Sequence, residues 1–154
     1  MCSYCGCHSI GIIGRFNTEH DELVNLTGLL RRAVAEGRTD VGDLVDDVAH
    51  LLRPHTDAEE VGLFTVLRRD EDFGEHIAHL CSDHVELDDL LARIRAGEIE
   101  LVDRFDADLR AHIQREENGL FPASLTTLGG QEWAEVDALT AAAFPVSPMN
   151  PTTP

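Results

Sequence analysis

Basic residues are scarce in this 154-residue sequence, and lysine is absent. Twelve arginines stand against 29 aspartates and glutamates, so the formal net charge is −17. A charge of this sign repels phosphate backbones and anionic lipid headgroups, and we expect neither nucleic acid nor a membrane as a partner. No apolar run reaches the roughly 20 residues that span a bilayer, and the first residues lack the pattern of a signal peptide. These absences predict a cytoplasmic protein.

Cysteine is also scarce, and its placement is uneven. Cys2, Cys5 and Cys7 crowd the N-terminus, whereas Cys81 stands alone. A disulfide framework needs partners that are spread along the chain, so we interpret the cysteines as thiols or metal ligands. Apolar residues make up 43% of the sequence, which is enough for the core of one domain.

Alternating β-branched runs are almost missing, and apolar residues recur at helical spacing instead. This pattern predicts an all-α fold, an antiparallel four-helix bundle with a short additional C-terminal helix. Pro54 predicts a kink or a restart in the second helix, and Pro122 predicts a bend or an early end of the fourth. The predicted helices span 17–36, 41–69, 71–96, 99–127 and 131–143. Residues 1–15 are predicted to be irregular. The predicted domains are a Cys-rich segment at 1–16, the bundle at 17–144 and a loose Pro-rich tail at 145–154.

Two pairs of helices carry the same motifs. The second and fourth helices both contain H-x-x-x-E-E-x-G-L-F, at 55–64 and at 112–121. The first and third helices both contain a small hydroxyl residue, an acid, a His, any residue, a Glu and a Leu, at 18–23 and at 82–87. A His and a Glu four residues apart share one helix face, so each pair can bind one metal ion, or the carboxylate can bridge two.

Together the motifs supply four histidines and two glutamates that can point into the bundle core. Burying such groups without a metal would be costly, because two carboxylates in an apolar core disfavour their charged forms. Imidazole with bridging carboxylate suits iron, with manganese or zinc as alternatives. The candidate ligands are His20, His55, Glu59, His84, His112 and Glu116.

Over residues 17–123 these motifs resemble the hemerythrin-like, or HHE cation-binding, family. The resemblance implies a four-helix bundle with two non-haem iron ions that share an oxo or hydroxo group, with Glu59 and Glu116 as the bridging carboxylates. Oxygen-carrying members have a further histidine one turn before the position of His84, where this sequence has Leu80. His76 and His79 are rotated away from that position. A four-His, two-Glu set is similar to the branch of the family linked to peroxide breakdown, nitric-oxide response and repair of iron centres.

We therefore expect a di-iron protein that reacts with a small oxidant. Hydrogen peroxide is the first candidate, in a catalase-like detoxification, and nitric oxide or oxygen comes next. Fewer protein ligands leave more open metal positions, which favours chemistry on the oxidant over reversible oxygen storage. The alternatives are a protein that binds or senses oxygen or iron, and an iron donor for the repair of iron centres. Whether the protein is an enzyme is left open.

Several neighbours of the candidate ligands have open interpretations. Glu60 and Glu117 follow the two bridging glutamates and are interpreted as solvated groups or as hydrogen-bond partners of the ligands. Asp57, Asp83 and Glu19 are further candidates for hydrogen bonds to ligand imidazoles. Cys81 is interpreted as a small buried residue or as a thiol near the metals. Leu63, Phe64, Leu120 and Phe121 are expected to lie in the core and form the wall of the metal pocket. Trp133 is expected to dock the fifth helix onto the bundle.

The N-terminal C-x-x-C-x-C-H segment supports three interpretations. Cys2, Cys5, Cys7 and His8 could form a second metal site, for zinc or iron, or a redox-reactive thiol cluster. They could also be a flexible thiol cluster without metal, or cover the end of the bundle and bring Tyr4 close to the metals. Similar Cys-rich starts occur on actinobacterial hemerythrin-like proteins, a resemblance that assigns them no role.

Overall fold

The computed structural model describes residues 7–144, and for residues 7, 8 and 10 it describes the backbone alone. Within this part of the chain the structure is helical and contains no strand. The first long helical segment is α1, Cys7–Ala35. The second consists of three consecutive parts: α2, Val41–Glu59, a π-helical segment, Glu60–Phe64, and α3, Thr65–Leu67. The third is α4, Gly74–Arg95, preceded by a 3-10 turn, Glu71–Phe73. The fourth consists of a 3-10 turn, Ile99–Leu101, then α5, Val102–Arg115, a π-helical segment, Glu116–Leu120, and α6, Phe121–Thr127. The last helix is α7, Gly130–Ala143.

The four long segments form the predicted bundle. Helix α1 packs against α2 and α5, and α4 packs against the same two helices on the other side. Short connections between consecutive segments make neighbours antiparallel. The additional helix α7 lies across the first π-helical segment and α1, where Trp133 and Val136 are buried. The prediction of an all-α bundle with an additional C-terminal helix is confirmed.

The first helix begins earlier than predicted, at Cys7 rather than at residue 17. The predicted irregular segment is therefore wrong for residues 7–15, and the boundary placed after residue 16 falls inside α1. Ile12, Ile13 and Phe16 explain the difference, because they share a buried face that packs into the bundle core. The free energy gained by this burial outweighs the low helix propensity of Gly11 and Gly14, which costs roughly 1 kcal/mol for each glycine.

The two prolines inside helices do not interrupt them. Helix α2 continues through Pro54, so the predicted restart does not occur there, and the departure from α-helical geometry begins only at Glu60. Pro122 lies in the first turn of α6, where a missing N–H costs little, and the helix continues to Thr127. No helix within the described residues is long and apolar enough to cross a membrane.

The core consists of two apolar clusters at opposite ends of the bundle, separated by a belt of buried polar residues. One cluster contains Phe16, Leu80 and the predicted wall residues, together with Trp133 of α7. The other includes leucines from all four long helical segments. The four that lie closest in sequence to the belt, one on each segment, are Leu23, Leu52, Leu87 and Leu109. The candidate metal ligands occupy the belt between the two clusters.

Candidate metal centre

The structure brings all six predicted ligands together in the middle of the bundle. Helix α1 contributes His20 and α4 contributes His84, while the second and fourth segments each contribute a His and a Glu one turn apart. None of the six residues is more than 6% exposed. Such burial of histidine and glutamate requires strong compensating interactions. The six residues are His20, His55, Glu59, His84, His112 and Glu116.

These residues form two groups that share both glutamates. His20 and His55 belong to one group and His84 and His112 to the other, and within each group the ligand atoms lie within 4.8 Å of one another. Glu59 lies between the groups, because its Oε1 is 3.1 Å from His55 Nε2 and its Oε2 is 3.3 Å from His84 Nε2.

Glu116 divides its oxygens in the same way. Its Oε2 lies 3.1 Å from His20 Nε2, and its Oε1 lies 3.3 Å from His112 Nε2. Each carboxylate thus presents one oxygen to each histidine pair. Each of the two groups could hold a metal ion.

Every one of the four imidazoles has a second carboxylate at its other nitrogen. Two of these contacts join helices of the same repeat, the first with the second segment or the third with the fourth: His55 Nδ1 to Glu19 at 2.6 Å and His112 Nδ1 to Asp83 at 3.1 Å. The other two join helices of different repeats, through the glutamates that directly follow Glu59 and Glu116. These contacts are His84 Nδ1 to Glu60 at 2.7 Å and His20 Nδ1 to Glu117 at 3.0 Å. Four of the five predicted hydrogen-bond candidates therefore contact an imidazole, whereas Asp57 lines a surface groove beside Glu60.

When a ring is neutral, its outer carboxylate favours the tautomer with the proton on Nδ1. A carboxylate only accepts hydrogen bonds, so each neutral imidazole donates from Nδ1 and turns the lone pair of Nε2 to the centre. There the Nε2 atoms of His20 and His55 and all four oxygens of Glu59 and Glu116 are buried without a hydrogen-bond partner. Buried polar atoms are rarely left in this state. Imidazole nitrogen and carboxylate oxygen are ligands that suit iron, so these residues fit a metal site.

The buried charges shift several pKa values in the protein alone. Burial lowers the pKa of His55, but Glu59 and Glu19 outweigh it and raise that pKa to about 10. Burial likewise disfavours the His112 cation, but Asp83 and Glu116 raise its pKa to about 9. Burial raises the pKa of Glu59, whereas contacts with His55 and with His84 hold it well below the usual value. Glu59 is therefore held as an anion, the form in which a carboxylate binds metal.

The two π-helical segments were not predicted, although they coincide with the repeated E-E-x-G-L-F motif. Each begins at or directly after a shared glutamate, at Glu116 and at Glu60. A π turn changes the direction of the following side chains, and it often marks a functional site. Here Phe64 stacks on His84 and Phe121 stacks on His20, each with 5.8 Å between ring centroids. The glycine that follows the two glutamates in both copies of the motif was the available signal.

Apolar layers close the centre on both sides along the bundle axis. The phenyl rings of Phe16, Phe64 and Phe121 lie on one side. The four leucines of the second cluster that lie closest in sequence to the belt are on the other side, each three residues from a centre histidine along its helix. The layers keep bulk water from the six polar groups and strengthen the electrostatic interactions between them.

The cysteines take no described part in this centre. Cys2 and Cys5 lie outside the described residues, as do the side chains of Cys7 and His8, so the N-terminal metal or thiol site stays a prediction. Cys81 is half-buried, with its Sγ 3.6 Å from Arg68 Nη2. Burial and the nearby Glu60 raise the pKa of the Cys81 thiol.

Comparison with known proteins agrees with this geometry. A family model described as hemerythrin HHE cation binding domain matches residues 11–124, the region that contains all six centre residues. No curated protein and no solved structure matches the chain at a significant level.

Proposed function

The chain belongs to the hemerythrin HHE cation-binding domain family, and from this premise we propose that its centre holds two iron ions that react with a small oxidant. His20 and His55 would hold one ion, His84 and His112 the other, and Glu59 and Glu116 would bridge them. One observation carries the proposal: each glutamate presents one oxygen to each histidine pair, and all four oxygens lack a hydrogen-bond partner.

Iron bound here would supply redox chemistry and open coordination positions for a small molecule. The protein contributes position and environment. Glu19, Asp83, Glu60 and Glu117 hold the protons of the four Nδ1 atoms and so orient the rings. The leucine and phenyl layers exclude water from the centre.

Hydrogen peroxide is the oxidant that we propose first, with nitric oxide and oxygen next. The burial of the centre admits only molecules of a few atoms. Leu80, at one corner of the phenyl layer, offers no further ligand atom, which leaves metal positions free. Two peroxide molecules yield one oxygen molecule and two waters, so this reaction needs no external reductant.

The test begins with the metal content of the full chain purified without added chelator. We expect about two irons per chain, and less in the variants Glu59→Gln and Glu116→Gln, because an amide cannot bridge two cations as a carboxylate does. Glu22→Gln, at an exposed position on α1, is the matched control. Absence of iron, with no uptake of anaerobic ferrous iron, would overturn the metal assignment.

The oxidant is tested separately on the iron-loaded chain. We expect oxygen release from peroxide at a rate that falls with the iron content of the glutamate variants. An iron-loaded chain that releases no oxygen from peroxide would refute peroxide breakdown. If, in addition, its spectrum changed with neither nitric oxide nor oxygen, reaction with a small oxidant would be refuted while the metal site stood.

A further inference from the structure

Three of the four centre histidines lie against a phenyl ring. Phe121 stacks on His20, Phe64 stacks on His84, and the edge of Phe16 meets His55 with 5.5 Å between centroids. Among the residues that the structure describes, His112 has no phenyl neighbour, and the ring beside it is His84 at 4.8 Å. The two halves of the centre are therefore unequal.

The inequality comes from one position of the repeat. Phe16 precedes His20 by one helical turn on α1, and Leu80 precedes His84 by one turn on α4, so the two occupy equivalent places. Both are fully buried. The other phenyl positions are matched, since Phe64 and Phe121 occupy equivalent places in the repeated motif, at the end of the first π-helical segment and directly after the second.

The Phe16 ring has little freedom to move. It lies between the ring of His55, to which it is nearly perpendicular, and the ring of Phe121, whose centroid is 5.9 Å away. Interiors are close-packed, so a rigid ring in this place leaves no room for an additional molecule beside His55. Leu80 fills the equivalent corner on α4, where it is also fully buried, but its side chain is smaller than a phenyl ring and has rotatable bonds. A small molecule therefore displaces less at this corner than it would beside Phe16.

A surface groove of about 380 Å³ between α2 and α4 has His84 and Glu60 among its lining residues. The equivalent groove between α1 and α5, at His20, is about 310 Å³. Thr56 in the first groove corresponds to Ile113 in the second and Asp88 to Val24, whereas Val85 in the first corresponds to Asp21 in the second. Both grooves are of mixed polarity, and the larger of the two lies at His84.

We propose that the small ligand binds beside Leu80, at the cation held by His84 and His112, and that Phe16 closes the equivalent position at His20 and His55. This inference rests on the proposed function, since it assumes two bound cations. Beyond the proposed function, the inference specifies which of the two cations binds the ligand and which residue determines this choice.

The experiment exchanges the two residues and measures ligand binding rather than turnover. The probe is azide, a small anion that binds open iron positions, titrated into the iron-loaded chain and followed by absorbance. We expect one azide per wild-type chain. Leu80→Phe should weaken azide binding by about tenfold or more, because the added ring overpacks the ligand position. Phe16→Leu should retain the first azide and admit a second.

The double variant Phe16→Leu/Leu80→Phe conserves the total side-chain volume and controls for overpacking in the single variant. It should bind one azide with an affinity within about threefold of wild type, since the opening has moved to the other half. Iron content is measured for every variant, and each should retain about two irons.

Unchanged azide affinity in a Leu80→Phe chain that retains both irons would overturn the inference, as would loss of azide binding in Phe16→Leu. Two equal azide sites in the wild-type chain would also overturn it. A wild-type chain without two irons would instead overturn the proposed function on which the inference rests, so the two failures are distinguishable.

Discussion

His84 and His112 face each other through their Nε2 atoms at a distance of 3.2 Å. Both rings use their Nδ1 protons elsewhere, on Glu60 at 2.7 Å and on Asp83 at 3.1 Å. In the metal-free protein the pKa of His112 is raised to about 9, so a ring proton can lie between the two Nε2 atoms. When both rings are neutral, two lone pairs meet there, and the contact is favourable only with a cation close to both. The pair is thus arranged for a shared positive partner, and the outer carboxylates maintain that arrangement.

The variant Asp83→Asn should weaken metal binding about 10- to 100-fold. An asparagine amide can donate a hydrogen bond to His112 Nδ1, which permits the tautomer with a proton on Nε2 and so removes a ligand lone pair. The measurement is a competition titration against a chelator of known affinity, with cobalt as a spectroscopic probe.

The matched control is Asp108→Asn, an exposed change on α5 beside Arg104 that should leave the affinity unchanged. Equal affinities of Asp83→Asn and the control would show that the contact between His112 and Asp83 does not orient the ring for a metal.

The six centre residues could be predicted from the sequence because their relationship is local. A His and a Glu four residues apart share a face in any α-helix, and the repetition of the motif showed that the two pairs belong to one site. The partners of the outer nitrogens depend on packing between helices. Glu60 bonds His84 and Glu117 bonds His20, across distant parts of the chain. The sequence identified these carboxylates as candidates but could not show which histidine each one contacts.

The difference between the two halves of the metal centre could not be predicted from the sequence for a related reason. Leu80 was recognised as a position without a ligand atom, but its counterpart Phe16 lay before the predicted start of the first helix. Gly11 and Gly14 weakened the helical pattern there, and burial of Ile12, Ile13 and Phe16 restored it only in the folded bundle. The π-helical segments were missed because their hydrogen-bond pattern has no reliable periodic signal in a sequence.

Removal of the metal should lower the free energy of unfolding. A ligand that binds only the folded state stabilises it by about 2.7 kcal/mol for each site when its free concentration is a hundred times its dissociation constant. Urea unfolding of the chain, with zinc in slight excess and then with a chelator, measures the difference. The double variant Glu59→Gln/Glu116→Gln should show little response to the chelator. An equal response of this variant would place the stabilising metal elsewhere in the chain.

The leucine layer should be sensitive to truncation. Leu87→Ala removes a fully buried side chain next to the centre and should cost about 2–5 kcal/mol of unfolding free energy, through lost burial and the cavity left behind. Leu29→Ala, on the exposed side of α1, is the matched control and should change stability by only about 0.5 kcal/mol. Urea unfolding of the metal-free proteins measures both. Equal costs at the two positions would show that the layer is loosely packed.

The two glycines of the repeated motif should respond differently to alanine. A Cβ on Gly62 would overlap the hydroxyl of Thr140 and lie 3.2 Å from the carbonyl oxygen of Val136, both on α7. Thr140 cannot turn away freely, because its hydroxyl donates to that same carbonyl at 2.8 Å. Gly62→Ala should therefore displace α7 and cost about 1–3 kcal/mol.

At Gly119 the nearest atom to an added Cβ is Nε2 of His76 at 3.9 Å, an ordinary contact. Gly119→Ala should leave stability unchanged or raise it by about 0.5–1 kcal/mol, since alanine reduces the freedom of the unfolded chain. Urea unfolding monitored by the fluorescence of Trp133, the single tryptophan of the chain, reports on the docking of α7 directly. If the two variants lost the same stability, the cost would belong to the π-helical geometry that both glycines share, and the close approach of α7 would not be its cause.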